Sequence, residues 1–519
     1  MNSVLAWLLL LPLVGAPIVY LVGRLVRRRG PEGRPHTEAS PSASRWAALL
    51  VFGLEWIPFF IVARALASGG QAVLQGPWAG TSSSALVPVQ LRFDGLSLLL
   101  TGVALLLGTL VCVFSAPYLE REFGQEKYYA MLLAMVGAMI GLGGARDLFN
   151  LWLWFEVMAV TSYLLVAFYR GQPGSLEAGV KYLVQSSAGS VMVLLGIAFV
   201  LGHTGTLDLE ALRSAGTASP LLLVAGGLFI IGFGVKAALV PLHTWLPDAH
   251  AQAPSGISAM LSGIVIEAGL IALLRVVTAI TATSLSWGVI LLSFGALNML
   301  VGNLMALRQS QVKRLLAYSS LSHVGYMLLG LGAGIYLSDA ASAQGGFFHL
   351  LNHGMMKGLA FLSAGVFLYC LHIAVGDHAP LKISDLSGAA RRYPLAALAL
   401  SLAVLGLGGL PPLAGFMSKW QIFVAGFSTH SRFVETLVVF AALNSVLSLA
   451  YYAPLVNALY RHEPSPAVAT GRPMPALMSI PLTLLSLAII VVGVWPGLVT
   501  WITMPAGQAL VRGVLVVAR

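Results

Sequence analysis

Residues 220–242, PLLLVAGGLFIIGFGVKAALVPL, decide the fold. They form an apolar run long enough to cross a bilayer, yet they hold a lysine, Lys236, and an interior proline, Pro241. A span needs about 20 mainly apolar residues, because a helix rises about 1.5 Å per residue through a hydrocarbon core about 30 Å thick. The same ruler laid along the 519 residues gives about fourteen spans, at 4–23, 46–66, 97–116, 128–145, 149–169, 177–201, 220–242, 255–277, 286–306, 313–336, 345–371, 394–427, 433–458 and 476–502. The chain is 58% hydrophobic and 9% charged, whereas soluble domains carry roughly 25% charged residues. A cytoplasmic globular enzyme, a disordered chain and a secreted disulfide scaffold are thereby excluded. The prediction is an all-α polytopic membrane protein in contact with the lipid bilayer.

The net charge of +10 follows the loops and points to no nucleic acid. Loops on the side of Arg24 hold Arg24, Arg27, Arg28, Arg29, Arg34, Arg45, Arg121, Lys127, Arg170, Arg308, Lys313, Arg314, Lys382, Arg391, Arg392, Arg461 and Arg472. The opposite side holds only Arg64, Arg92, Arg146, Arg213, Arg275, Arg432, Arg512 and Arg519. Basic loops stay in the cytoplasm, so the expected location is the cell inner (cytoplasmic) membrane, with both termini on the non-cytoplasmic side. Met1–Ala6 carries no Lys or Arg, so the first span reads as a retained helix and not a signal peptide. Segment 30–45, rich in Pro and Ser, reads as a linker, and VPVQLRFD (87–94) as a short extended strand. The two cysteines, Cys112 and Cys370, lie within apolar runs. They cannot frame an iron–sulfur cluster, and no glycine-rich nucleotide loop follows a strand pattern. No cofactor and no metal are expected in this chain.

Seven ionisable residues fall inside spans: Glu55, Glu156, Lys181, Lys236, Glu267, Lys357 and Lys419. Each costs roughly 2.5–3.5 kcal/mol to insert, and therefore needs a partner or a water-filled cavity. Glu156 and Lys236 have the chemistry of a proton relay, with a static ion pair as the alternative. His349, His353 and Lys357 recur every four residues and so share one helix face. Histidine passes protons near neutrality. Lys181 follows Glu177 by four residues, so an interfacial pair competes with a transport role. His323 reads equally as a hydrogen-bonded packing residue, and Glu55 as a structural or subunit contact. Pro241 and the pair Pro411–Pro412 should break their spans, each within a few residues of a lysine, Lys236 or Lys419. These spans are five apart, a spacing that suggests two structural repeats.

The stretches DLFNLWLWFEVMAVTSYLLV (147–166), VKAALVPLHTWLPDAHAQAPSGISAML (235–261), VKRLLAYSSLSHVGYMLLGLG (312–332), FHLLNHGMMKGLAFLSAGV (348–366) and GLPPLAGFMSKW (409–420) resemble the proton-conducting antiporter-like superfamily. Its members are the large membrane subunits of complex I (NADH–quinone oxidoreductase), of multisubunit cation/proton antiporters and of membrane-bound hydrogenases. The similarity runs from about residue 90 to 460. It implies fourteen helices with two inverted five-helix repeats, helices 4–8 and 9–13, in which helices 7 and 12 are broken. The domains expected are residues 1–116 (helices 1–3), 117–277 (first repeat), 278–460 (second repeat) and 461–519 (helix 14 and tail).

The resemblance also implies a relay, Glu156–Lys236–Glu267–(His353, Lys357)–Lys419, with Glu156 and Lys236 as a coupled pair. Glu267 stands where the family usually has a lysine; an acid there could be neutral when protonated, or could pair with Lys236 or Lys357. His243, Asp248 and His250 follow the first break on the cytoplasmic side, where either hydrated access or simple turn bonding fits. His323, His349 and Lys181 are secondary candidates. The function expected is proton translocation by a non-redox subunit of a multisubunit, redox-driven complex of the NADH–quinone oxidoreductase type. Its partners would be other membrane subunits, with sodium as a second possible ion. A sodium/proton antiporter subunit and a membrane-bound hydrogenase subunit are the alternatives. The chain ends soon after the fourteenth span, without the long lateral helix of the distal complex I subunit. That points to a middle-position or antiporter-type subunit.

Overall fold

The computed structural model describes residues 2–27, 43–70, 72–75, 90–215, 219–280, 286–376 and 379–515. Most of the expected linker at 30–45, together with Arg28, Arg29, Arg34 and Arg519, lies outside them. Helices α1 (Asn2–Arg27), α2 (Ala43–Ala67), α3 (Gly95–Tyr118), α4 (Gln125–Gly144), α5 (Leu148–Val166) and α6 (Pro173–Thr204) run in succession. Strands β1 (Ala72–Gln75) and β2 (Gln90–Phe93) pair antiparallel between α2 and α3, so the expected strand forms over 90–93, its first residues, 87–89, lying outside the described residues. The short α7 (Leu209–Ala215) leads to α8 (Pro220–Lys236) and α9 (Trp245–Gln252). Next come α10 (Ser255–Met260), a π-helical turn at Leu261–Val265, and α11 (Ile266–Val277). The second half holds α12 (Trp287–Ala306), α13 (Val312–Leu337), α14 (Ala340–Leu371), α15 (Pro394–Gly408), α16 (Ala414–Ser428) and α17 (Arg432–Leu459). The chain closes with α18 (Pro466–Thr470), α19 (Ala476–Val494) and α20 (Thr500–Leu515).

Local sequence sets the helix ends. Asp94 caps α3 in a reciprocal capping box with Ser97, Asp147 caps α5, and Asp339 caps α14; each carboxylate accepts from N–H groups that the first helical turn leaves unpaired. Pro173, Pro220 and Pro394 open α6, α8 and α15, where a missing N–H costs nothing.

Among the described residues, 12 helices are long and apolar enough to cross a membrane. Two shorter apolar helices, α8 and α15, are the ones that end at the expected breaks. The chain is thus a multi-pass, all-α membrane protein. The segment α10–α11 is its axis: every residue of its most apolar stretch is buried, and it packs on α3, α8 and α14. Leu, Val and Ile side chains of α1, α2, α6, α17 and α19 are exposed, as a lipid-facing rim requires.

One boundary is corrected. The span expected at 476–502 stops at Val494, where Pro496 starts a 3-10 turn that leads into α20. α20 lies over the N-terminal ends of α3 and α14. Pro505 meets Gly95, and Gly507 meets Gln344, so close that a Cβ on either glycine would strike the neighbouring backbone.

Candidate functional site

Helix α8 stops at Lys236, and the chain crosses to α9 without regular structure. Pro241 supplies no N–H, and Ala238 takes a left-handed φ of 54°. The backbone groups freed by this break are recaptured by side chains, as burial demands. Asn298 of α12 accepts from the Val240 N–H (2.9 Å) and donates to the Ala238 carbonyl (3.1 Å). Trp245 Nε1 donates to the Val235 carbonyl at 2.8 Å. Its ring stacks on Tyr182, with centroids 3.9 Å apart and planes within 5°. The Tyr182 hydroxyl accepts from Lys236 Nζ at 2.7 Å.

The second break is built alike. α15 ends on Gly409 at φ 85°, and Pro411–Pro412 separate it from α16. Lys419 Nζ reaches back to the Leu407 carbonyl (2.8 Å) and to Ser445 Oγ (2.8 Å), which in turn holds the Gly408 carbonyl (3.1 Å). The Lys419 ammonium lies 4.5 Å from the Tyr326 ring, and that of Lys236 lies 4.6 Å from the Tyr182 ring. Lys236 is the last residue of α8, and the Lys419 ammonium, carried on α16, reaches the carboxyl end of α15; there the helix dipole favours a cation, and each lysine lies against a tyrosine face that adds cation–π attraction.

Between the breaks runs a buried chain of titratable groups on α11, α13, α14 and α16. Glu267 follows directly on the π-helical turn, a widened turn that recurs at functional sites. Its Oε1 bonds His353 Nδ1 at 2.6 Å, with both side chains fully buried. The His323 ring lies 5.3 Å from that of His353. His323 Nδ1 pairs with His349 Nε2 at 3.0 Å, and His349 Nδ1 with Ser418 Oγ at 2.9 Å; Ser418 adjoins Lys419. One turn from His353, Lys357 Nζ donates to the Leu316 carbonyl (2.7 Å) and to Ser319 Oγ (2.5 Å). Ser319 is bonded in turn to the Tyr452 hydroxyl. An imidazole can accept at one nitrogen and donate at the other, so each bonded pair can exchange a proton, while His353 and His323 meet by ring contact, with no hydrogen bond between them among the described residues.

The structure thus joins Glu267, His353, His323, His349, Ser418 and Lys419. Glu267 takes His353 as its partner, not Lys236 or Lys357, because α14 presents His353 and not Lys357 toward α11. Glu156 is half-buried on α5, with its Oε1 unbonded, and no ion pair with Lys236 occurs among the described residues. Lys181 is 49% exposed and bridges Glu177 (2.6 Å) and Asp248 (3.1 Å); Asp248 also holds Arg314 (2.6 Å). The Glu177–Lys181 pair is the one its spacing allowed; the bonds to Asp248 and Arg314 join separate helices. His243 is half-buried. His250 is fully buried and stacks on Phe361, with centroids 4.8 Å apart. Glu55 is buried on α2, and neither of its carboxyl oxygens finds a hydrogen-bond partner. Cys112 and Cys370 are free.

Three residues escaped the sequence reading. Asn298 carries the only signal that was legible, an amide within an apolar span. Lys313 and Arg275 were counted as loop bases but are buried. Lys313 Nζ donates to the Ala253 carbonyl at 2.5 Å, and Arg275 binds Asp94, Ser97 and the Gly143 carbonyl at 2.7–3.0 Å.

A family model described as "NADH:quinone oxidoreductase/Mrp antiporter, TM" matches residues 145–447, more than half of the chain. The chain belongs to this family. A second model, "NADH-Ubiquinone oxidoreductase (complex I), chain 5 N-terminus", matches residues 78–129. NADH-quinone oxidoreductase subunit N 1 of Sorangium cellulosum is 35% identical over 84% of this chain and 87% of its own length. F(420)H(2) dehydrogenase subunit N of Methanosarcina mazei is 33% identical over 81% and 85%. Among solved structures, an archaeal membrane-bound sulfane sulfur reductase superposes at a TM-score of 0.84 with 28% identity, covering 99% of both chains. The resemblance read from the five motifs is borne out. The family match spans both broken helices and the whole buried row from Glu156 to Lys419, and leaves Glu55 outside it.

Proposed function

We propose that this chain translocates protons as the antiporter-like membrane subunit of a multisubunit, redox-driven complex of the NADH–quinone oxidoreductase type. The observation that carries this reading is the buried row of closely spaced groups that leads from Glu267 and His353, past His323 and His349, to Ser418 beside Lys419, set between two broken helices. The names of the relatives support the type of complex, whose cofactors would sit in other subunits.

In this reading α8–α9 and α15–α16 each count as one broken span. With the 12 long helices they make fourteen, arranged as residues 1–116, a first five-helix repeat at 117–277, a second at 278–460, and 461–519. The even number keeps both termini on one side, opposite the basic loops and so outside the cytoplasm.

Glu156, Lys236, Glu267, His353, Lys357 and Lys419 carry the proton, with His323 and His349 as stepping groups between His353 and Ser418. His243, Asp248 and His250 line the basic-side approach to the first break. A proton on His353 is stabilised by the adjacent Glu267 carboxylate; a lysine at position 267 would repel it. The acid thus converts a row of like charges into one that alternates in sign, and lets the histidines take part. Moving one charge against 100 mV costs about 2.3 kcal/mol, which the redox partners supply.

The test is proton uptake in inverted membrane vesicles that hold the chain with its native partners, driven by an imposed potassium diffusion potential. Glu267→Gln keeps the shape but cannot exchange a proton, so the rate should fall about tenfold or more. A wild-type rate would remove Glu267 from the path, and no uptake by the wild-type chain would overturn proton transport itself.

A further inference from the structure

On the basic side a cavity of about 110 Å³ opens between the end of α3, the α5–α6 turn, the α9–α10 turn and the start of α13. One water needs roughly 10–15 Å³ by this measure, so several fit. Its walls carry Tyr118, Gln172, Gln252, Gln311 and Lys313, more polar groups than a packing defect in an apolar bundle would have. Lys313 forms the inner wall. It is only 5% exposed, and its ammonium rests on the Ala253 carbonyl (2.5 Å) and more loosely on that of Ala251 (3.5 Å). One helical turn further along α13, the Leu316 carbonyl holds Lys357 Nζ. His250 is buried beside them: it stacks on Phe361, one turn beyond Lys357 on α14, and neither ring nitrogen is hydrogen-bonded. A cavity with room for water, the buried Lys313 ammonium, the His250 imidazole and Lys357 thus lie together from the surface inward.

We infer that this cavity is the water-filled mouth through which protons reach the buried row, and that Lys313 is the residue that takes them up and passes them by way of His250 to Lys357. The step is a proton exchange only: Lys313 releases a proton inward and is reprotonated by water in the cavity. Among the described residues no carboxylate pairs with the Lys313 ammonium, so release of its proton leaves no unpaired anion behind. The carbonyls that accept from it also keep it facing the water.

This inference rests on the proton-transport reading above, and the same inverted vesicles separate the two. Lys313→Met and Lys313→Arg are compared with wild type. Methionine cannot carry a proton, and arginine keeps the charge and the donors but does not release one. Both rates should fall about tenfold or more. If arginine restores the wild-type rate, Lys313 is a structural cation and the inference is overturned, although wild-type uptake still upholds proton transport. Should the Lys313 variants fail to assemble, Gln172→Cys on the cavity wall gives a second readout. A membrane-impermeant, charged methanethiosulfonate added to inverted vesicles should stop uptake by the cysteine variant and leave wild type, whose cysteines are buried, unaffected. Full uptake by the labelled variant would show that protons enter elsewhere.

Discussion

Lys236 illustrates how one side chain can be held charged, or released, in a membrane interior. Among the described residues its only hydrogen-bond acceptor is the Tyr182 hydroxyl, and the ring of that tyrosine is itself fixed against Trp245 by stacking. Removing the hydroxyl alone therefore tests the lysine without disturbing the packing. In Tyr182→Phe the stack and the cation–π face persist, but the buried ammonium loses its acceptor at a cost of about 1–3 kcal/mol. Uptake in vesicles should drop severalfold while the variant assembles normally; an unchanged rate would mean that Tyr182 does not position Lys236. Residue identity at such places was legible in the sequence, because a charge in an apolar run has few reasons to be there. Its partner was not. Glu267 could have met a lysine and meets His353, since i, i+4 spacing states which groups share a face of α14 but not which neighbour that face meets.

At the scale of the element, the two broken helices were foreseen from Pro241 and Pro411–Pro412, but the means of tolerating them was not. An interrupted helix inside a bilayer leaves backbone groups that must be satisfied by neighbours, and Asn298 satisfies two of them from another helix. Asn298→Ala should lower stability by about 2–4 kcal/mol, read as a drop in the thermal unfolding midpoint in detergent. A midpoint equal to wild type would show that the break holds itself. The helix that carries Asn298 is pressed close to α13: a Cβ on Gly302 would lie 2.5 Å from the Ser322 amide. Such close approach depends on small residues in the interface. It brings α13, with His323, into register with the break, so the α12–α13 contact and the proton row are parts of one arrangement. Lys313 was misread at this scale too. Hydropathy starts the span at about residue 313, at the edge of the preceding loop, so the lysine reads as a loop base, whereas the turn between α9 and α10 covers it in the fold.

Across the whole molecule, charge is sorted by side. The basic face carries the Lys181–Asp248–Arg314 network, which ties α6 and α9 to α13. The opposite face is tied by Asp94, at the start of α3, to Arg275 at the end of α11. Burial alone would raise the Asp94 carboxyl, but Arg275 and the Ser97 bonds outweigh it and hold it below the ordinary carboxylate range. A carboxylate whose native pKa is lowered stabilises the fold above its unfolded value, and that contribution is lost as pH falls through the native one. Asp94→Asn should therefore unfold more easily than wild type at neutral pH, and the difference should shrink as pH drops below about 4. Thermal unfolding in detergent at a series of pH values measures it; a gap that persists in acid would assign the effect to shape and not to charge.

The sequence by itself determined that the chain crosses a membrane many times, that its basic residues gather in alternate loops, where two spans break and which side chains could carry protons. All of these follow from hydropathy, proline and charge, properties that act along a single helix. Only the tertiary structure decided that Glu267 holds His353, that His323 and His349 gather between it and Lys419, that Asn298 repairs a break and that Lys313 is buried at the base of a cavity. Those depend on which helix faces meet, and helix packing is set by shape across the bundle, to which the spacing of residues along one helix is blind.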